Sequence, residues 1–307
     1  SGALASRCNL TGTVNTAVGM YALHKNTTAS RNTGLGYAAL ICNIEGSDNT
    51  AVGTNALYKN TVSLNTAVGG CALICQTTGG CNTALGFGAM MKNCSGDKNV
   101  AVGAQAMCIG SGGCYNTAIG YQANRWLTTG DSNVAVGYQT LYCTTTGENN
   151  TGLGINALTN NKHGDLNTAV GHIALYKNTC SHNTAVGAYA GACMTTAVYN
   201  TAVGYASQNY TTTGGGNTSL GYLALYLNNN GGAHNTAVGS FTLAANTTGS
   251  CNVALGTCAL CDNTTGGNNV AIGFRSMCKN TTAANNVAMG RETLVSNTVG
   301  DSNIAIG

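Results

Sequence analysis

The chain of 307 residues carries only 7% charged residues, a formal net charge of +3, 44 glycines, 15 cysteines and no proline. Ordinary usage would supply roughly fifteen prolines; their absence fits a backbone in which nearly every N–H donates to a neighbouring strand. The positive charge is scattered, which argues against nucleic acid as a partner. With no apolar run near the roughly 18 residues of a membrane span, insertion into a bilayer is not expected either.

The predicted elements are copies of a single unit. Its leading Asn falls at 15, 32, 49, 65, 82, 99, 116, 133, 150, 167, 183, 200, 217, 235, 252, 269, 286 and 303, a spacing of 17 with three single-residue slips. Numbering each unit from that Asn, position 2 is Thr, Val or Ile, position 3 is small, position 4 is aliphatic or Met and position 5 is Gly. The consensus reads N-T-A-V-G-Y-x-A-L-x-x-N-T-T-G-x-x.

Seventeen residues are too few for a helical hairpin repeat of about 34, and a glycine at position 5 opposes a helix. The pattern predicts a first strand over positions 1–4, a bend at the position-5 glycine, a second strand over positions 7–11 and a closing Asn-Thr-Thr-Gly turn. One unit is then one rung of an all-β parallel β-solenoid of about eighteen rungs. At about 4.8 Å per rung it would make a rod on the order of 80 Å long. Like stacks on like, so Asn15, Asn32, Asn49 and Asn116 are expected to form an amide ladder, and Gly19, Gly36, Gly53 and Gly120 a column of bends.

Along the first strand, Thr16 and Val18 point to one side and Ala17 to the other. Both sides are apolar, yet a coil has one interior. The second side needs another cover, because a continuous apolar stripe exceeds what a soluble monomer exposes. A second copy of the chain is the simplest cover, which predicts a homo-oligomer.

Segments such as "NTAIGYQAN" at 116–124 and "NVAVGYQTL" at 133–141 resemble the head repeats of trimeric autotransporter adhesins, whose core reads Asn-Ser-Val-Ala-Ile-Gly, and the repeats of phage or virus tail-fibre proteins. The resemblance spans essentially residues 1–307 as one continuous repeat domain. It implies a left-handed β-roll, three chains around a common axis, and display outside a cell or virion to bind a surface. The 17-residue period and the cysteines depart from the adhesins, and no neck, stalk or anchor is visible, which favours a fibre. The chain opens inside an incomplete unit and stops at the end of a core motif at Gly307, as expected of part of a longer fibre polypeptide or of an end-to-end filament.

Candidate chemistry is sparse. Asp131, Glu148 and Asp165 occupy position 16 on successive rungs; a solvated turn column competes with a Ca²⁺ site built from carboxylate oxygens. No other cofactor is implied. Cys261 and Cys278 share a column on adjacent rungs, open to a disulfide or to burial as small hydrophobes. Asn26, Asn93, Asn246, Asn263 and Asn280 begin N-x-S/T at position 12, candidate glycosylation sites that equally suit a turn. "TTGGGN" at 212–217 lacks the Lys of a phosphate loop and is read as a spacer. The five histidines are dispersed and assemble no catalytic set. Aromatic residues at position 6, Tyr121 and Tyr138 among them, could stack on the sugar rings of a surface glycan, or simply on one another.

The expected function is therefore a non-enzymatic fibre shaft or adhesin head, extracellular or on a virion, attaching to a host or surface receptor. Alternatives are a self-assembling extracellular filament, an ice-binding solenoid, disfavoured because Thr at position 2 is expected to be buried, and a solenoid polysaccharide hydrolase, which would need clustered acids. A pentapeptide repeat is excluded by a period that is not a multiple of five.

Overall fold

A computed structural model describes residues 8–307. The chain forms two compact units, one reaching to Asn150 and one running from Thr151 to Gly307. The first carries eight strands, from β1 (Thr16–Val18) and β2 (Thr33–Leu35) to β8 (Val134–Val136), and the second ten, from β9 (Thr151–Leu153) and β10 (Thr168–Val170) to β18 (Ile304–Ile306). Within each unit consecutive strands pair in parallel, like over like. Thr16 lies beside Thr33 and Val18 beside Leu35, and in the second unit Ala169 lies beside Ala185. Each unit is thus a parallel β-solenoid with rungs 17 residues apart.

Every strand has three residues, positions 2 to 4. The small residue at position 3 turns inward and is buried, as Ala51, Ala84 and Ala118 are, while positions 2 and 4 turn outward. At position 5 the glycines adopt φ between +122° and +147°. Both this dihedral and the stacking demand Gly. A Cβ on Gly103 would lie 2.5 Å from the carbonyl oxygen of Gly120 on the next rung, and backbone cannot swing aside as a side chain could.

The expected second strand is not there. Positions 6 to 11 form a run of turns in which positions 7 and 9 are left-handed, as at Tyr21 (φ 64°) and Leu23 (φ 50°). Donors alternate along this run. Leu23 and Lys25 donate to Ala39 and Ile41 of the next rung at 2.9 and 3.0 Å, whereas Ala22, His24 and Asn26 donate back within their own rung to Gly19, Tyr21 and Leu23. The physical reason lies at positions 8 and 9. Ala22 and Leu23 are neighbours and both fully buried, whereas a strand sends neighbours to opposite faces. The alternating left-handed residues turn both into the core. Proline could serve at neither kind of position, since it lacks the donor and cannot take φ > 0.

The interior of most rungs is consequently small: Ala at 3 and 8, Leu or Met at 9, and buried asparagine side chains at 1 and 12, with exceptions at 12 such as Gln76, Leu127, Met194 and Thr211.

Candidate binding face

The core asparagines explain much of the repeat. The position-1 ladder differs in detail from the one expected: the backbone N–H of Asn32 donates to Oδ1 of Asn15 at 2.9 Å, and that of Asn49 to Oδ1 of Asn32 at 2.9 Å. Direct amide-to-amide bonds at this position occur on some rungs, such as Asn133 to Asn116 at 3.2 Å. A second ladder, which pattern reading missed, runs through position 12. Nδ2 of Asn263 donates to Oδ1 of Asn246 at 2.8 Å, and Nδ2 of Asn280 to Oδ1 of Asn263 at 2.7 Å.

This placement corrects the glycosylation reading. Asn26, Asn93, Asn246, Asn263 and Asn280 are buried rather than displayed at a surface turn. Nδ2 of Asn26, Asn246, Asn263 and Asn280 spends one donor on a neighbouring Asn and the other on the carbonyl of position 15. Asn93 is turned the other way, its Oδ1 accepting from Gly96 N–H at 3.0 Å. A glycan on any of these nitrogens has no room inside the coil. The signal was available: an Asn recurring at one position, flanked by small residues, fits a buried ladder as readily as a turn.

Three acids of position 16 are staples between rungs. Asp97, Asp131 and Asp301 accept the backbone N–H of Gly80, Cys114 and Ala284 on the preceding rung at 2.6, 2.7 and 2.7 Å. Serines do the same work, as when Ser181 Oγ accepts from Asp165 N–H at 2.9 Å. Asp131 and Glu148 belong to the first unit and Asp165 to the second. Among the described residues no group of three His, Cys, Asp or Glu side chains is placed to hold a metal ion.

Cys261 and Cys278 are free thiols, not a disulfide. Burial, followed by the neighbouring Cys258, Asp262 and Cys278, pushes the Cys261 thiol up to about 12. Its partner for hydrogen bonding is Cys258 in its own rung, and the side chain is half-buried.

What each unit displays is one strand face. In the first unit, position 4 exposes Val18, Leu35, Leu85 and Ile119, and in the second Leu153, Leu220, Leu255 and Met289, with Leu220 50% exposed. Position 2 adds Thr16, Thr83, Thr151 and Thr218, all exposed, which corrects the expectation that this threonine is buried. Beyond the glycine bend stands position 6. The rings of Tyr121 and Tyr138 stack at 5.7 Å with 16° between planes, and those of Tyr205 and Tyr222 at 5.5 Å and 14°. These tyrosines satisfy one another along the column while leaving nearly half of each side chain in solvent. Away from this face, Arg125 lies over Trp126 and Tyr142 and donates to the Tyr142 hydroxyl at 3.2 Å, a cluster that no motif announced.

No protein-family profile and no curated protein matches this chain.

Proposed function

We propose that the chain is a non-enzymatic, surface-displayed fibre or adhesin segment that works as a homotrimer, similar in kind to trimeric adhesin heads and tail-fibre repeats. One observation carries the reading: columns of threonine and aliphatic side chains stand exposed on the strand face of each unit, with stacked aromatic side chains exposed beyond the glycine bend. An apolar surface repeated on every rung exceeds the few hundred Å² a soluble monomer exposes, and packing against sister chains removes it from water. Small, regular side chains on a rigid ladder suit close approach between copies, and rigidity with repetition suits multivalent attachment to a host surface or glycan. The position-16 acids support the non-enzymatic part of the reading, since Asp97, Asp131 and Asp301 are engaged as staples rather than paired for catalysis.

Mass in native solution tests this. A trimer is the expected result; a stable monomer in dilute buffer would overturn it, and mass growing with concentration would point instead to the extracellular filament. An ice-binding surface regains its exposed threonines at position 2, but the neighbouring position-4 column is aliphatic and threonine at positions 13 and 14 recurs irregularly, which favours the fibre reading.

A further inference from the structure

The unit that opens at Asn217 is the only complete one of 18 residues, and it also holds the only Asn-Gly dipeptide of the chain, Asn230-Gly231. The structure puts the extra residue and the dipeptide in one loop. In 17-residue units the position-12 amide reaches a carbonyl three residues on, as Asn246 does to Gly249 and Asn263 to Gly266. Here Nδ2 of Asn228 reaches the Gly232 carbonyl, four residues on, at 2.7 Å. Both ends of the loop are tied into the ladders, since the Gly232 carbonyl also accepts from Asn217 at 2.9 Å and Oδ1 of Asn228 accepts from Asn246 at 2.9 Å. Residues 229–231 are left to carry the surplus.

Asn230 is exposed, and its side-chain amide has no hydrogen-bond partner among the described residues. Its own N–H donates to the Thr247 carbonyl at 3.2 Å. Gly231 takes φ +94°, which glycine adopts without strain, and the nearest atom a Cβ there would meet is Thr213 Oγ1 at 3.5 Å. On the next rung Thr248, which precedes Gly249 as Gly231 precedes Gly232, donates its N–H to Thr264 at 3.1 Å; the N–H of Gly231 has no partner among the described residues. An unengaged carboxamide thus stands beside an unengaged, unshielded backbone nitrogen.

We propose that Asn230 is a site of spontaneous deamidation. The Gly231 nitrogen gives up its proton to hydroxide and attacks Cγ of Asn230, closing a five-membered succinimide; the Cγ–Nδ2 bond breaks and ammonia leaves. Water then opens the ring at one carbonyl or the other, leaving aspartate or β-linked isoaspartate at this position. The ladder asparagines do not compete. Asn246 and Asn263 are buried, each donates twice through Nδ2, and a threonine follows each, so attack there requires a rung to open first. The product adds a negative charge, and in isoaspartate one backbone atom, between the fixed points at Asn228 and Gly232, where the fold already takes up an extra residue. This inference does not depend on the attachment reading.

The test is peptide mapping by mass spectrometry of the full chain held at mildly alkaline pH, with isoaspartate detected by enzymatic methylation, on wild type, Asn230→Gln and Gly231→Ala, folded and in urea. Position 230 of the folded wild type is expected to gain the acid mass at least about tenfold faster than any ladder asparagine, with isoaspartate in excess. Either substitution should slow conversion at 230 by about tenfold or more, by enlarging the ring that must close or by crowding the attacking nitrogen. Asn230→Gln keeps the loop glycine, so the test stands even if Gly231→Ala disturbs the turn. Conversion at 230 only in urea, or no faster than at Asn246 and Asn263, would overturn the site. Aspartate without isoaspartate would overturn the succinimide route.

Discussion

The side-chain amides of Asn15 and Asn26 converge on one acceptor, the carbonyl of Ala29, at 2.8 and 3.0 Å. The same clamp recurs where Asn32 and Asn43 meet on Gly46, and where Asn252 and Asn263 meet on Gly266. It ties the strand and the turns of a rung to the closing loop, and the Oδ1 atoms carry the bond on to the next rung. The result is a core held by amides more than by bulk, which suits a coil too slender to bury large side chains.

Removing one amide from the position-12 ladder should be costly. In Asn263→Ala, Oδ1 of Asn246 loses its donor, Nδ2 of Asn280 is left with only the Ala283 carbonyl, and the Gly266 carbonyl with only Asn252. A loss of about 2–4 kcal/mol is expected in denaturant unfolding, with Asn263→Asp recovering only the acceptor half.

The same column is broken at Thr211, whose buried hydroxyl oxygen has no hydrogen-bond partner. Thr211→Asn supplies the residue that the following rungs use at this position, Asn228 and Asn246, although the preceding rung carries Met194. Its Oδ1 can accept from Asn228, which now donates to Gly232 at 2.7 Å. A gain of about 1 kcal/mol is expected, read as a higher midpoint in urea.

Gly103→Ala should disrupt its rung. The dihedral of +134° is forbidden to alanine and the new Cβ would meet backbone at 2.5 Å. A cost above about 3 kcal/mol is expected, with hydrogen-exchange protection lost first at β6 (Val100–Val102) and β7 (Thr117–Ile119).

On the exposed face, Leu220→Glu combined with Leu255→Glu should leave the circular dichroism unchanged and lower the association state in sedimentation. Neither side chain contributes to the buried core, while carboxylates there would charge the surface that the proposed trimer buries.

The Cys261 thiol, pushed up from an ordinary value of 9.0 to about 12, predicts a pH effect with a definite sign. Below about pH 9 the thiol is neutral in folded and unfolded chains alike, so its contribution is fully present. Between pH 9 and about 12 the unfolded chain ionises first and stability falls. Cys261→Ala should flatten that part of the stability curve relative to wild type, and alkylation of Cys261 should keep accelerating beyond pH 9. An alkylation plateau by pH 9 would refute the shift.

The repeat itself carried the 17-residue rung, the parallel stacking of like on like and the glycine bend, because a period in sequence becomes a column in space and a column admits only residues that tolerate their own copies as neighbours. Composition alone foretold that donors are used nearly everywhere, through the missing proline. Pattern could not decide which way each side chain faces once the backbone leaves the simple two-residue alternation of a strand. The left-handed residues at positions 7 and 9 turn Ala22 and Leu23 inward together, the ladder draws Asn26 from an apparent surface turn into the core, and the strand twists Thr16 outward. Those outcomes depend on bonds between residues 14 to 17 apart in sequence, and only the closed coil brings such residues to within 3 Å of each other.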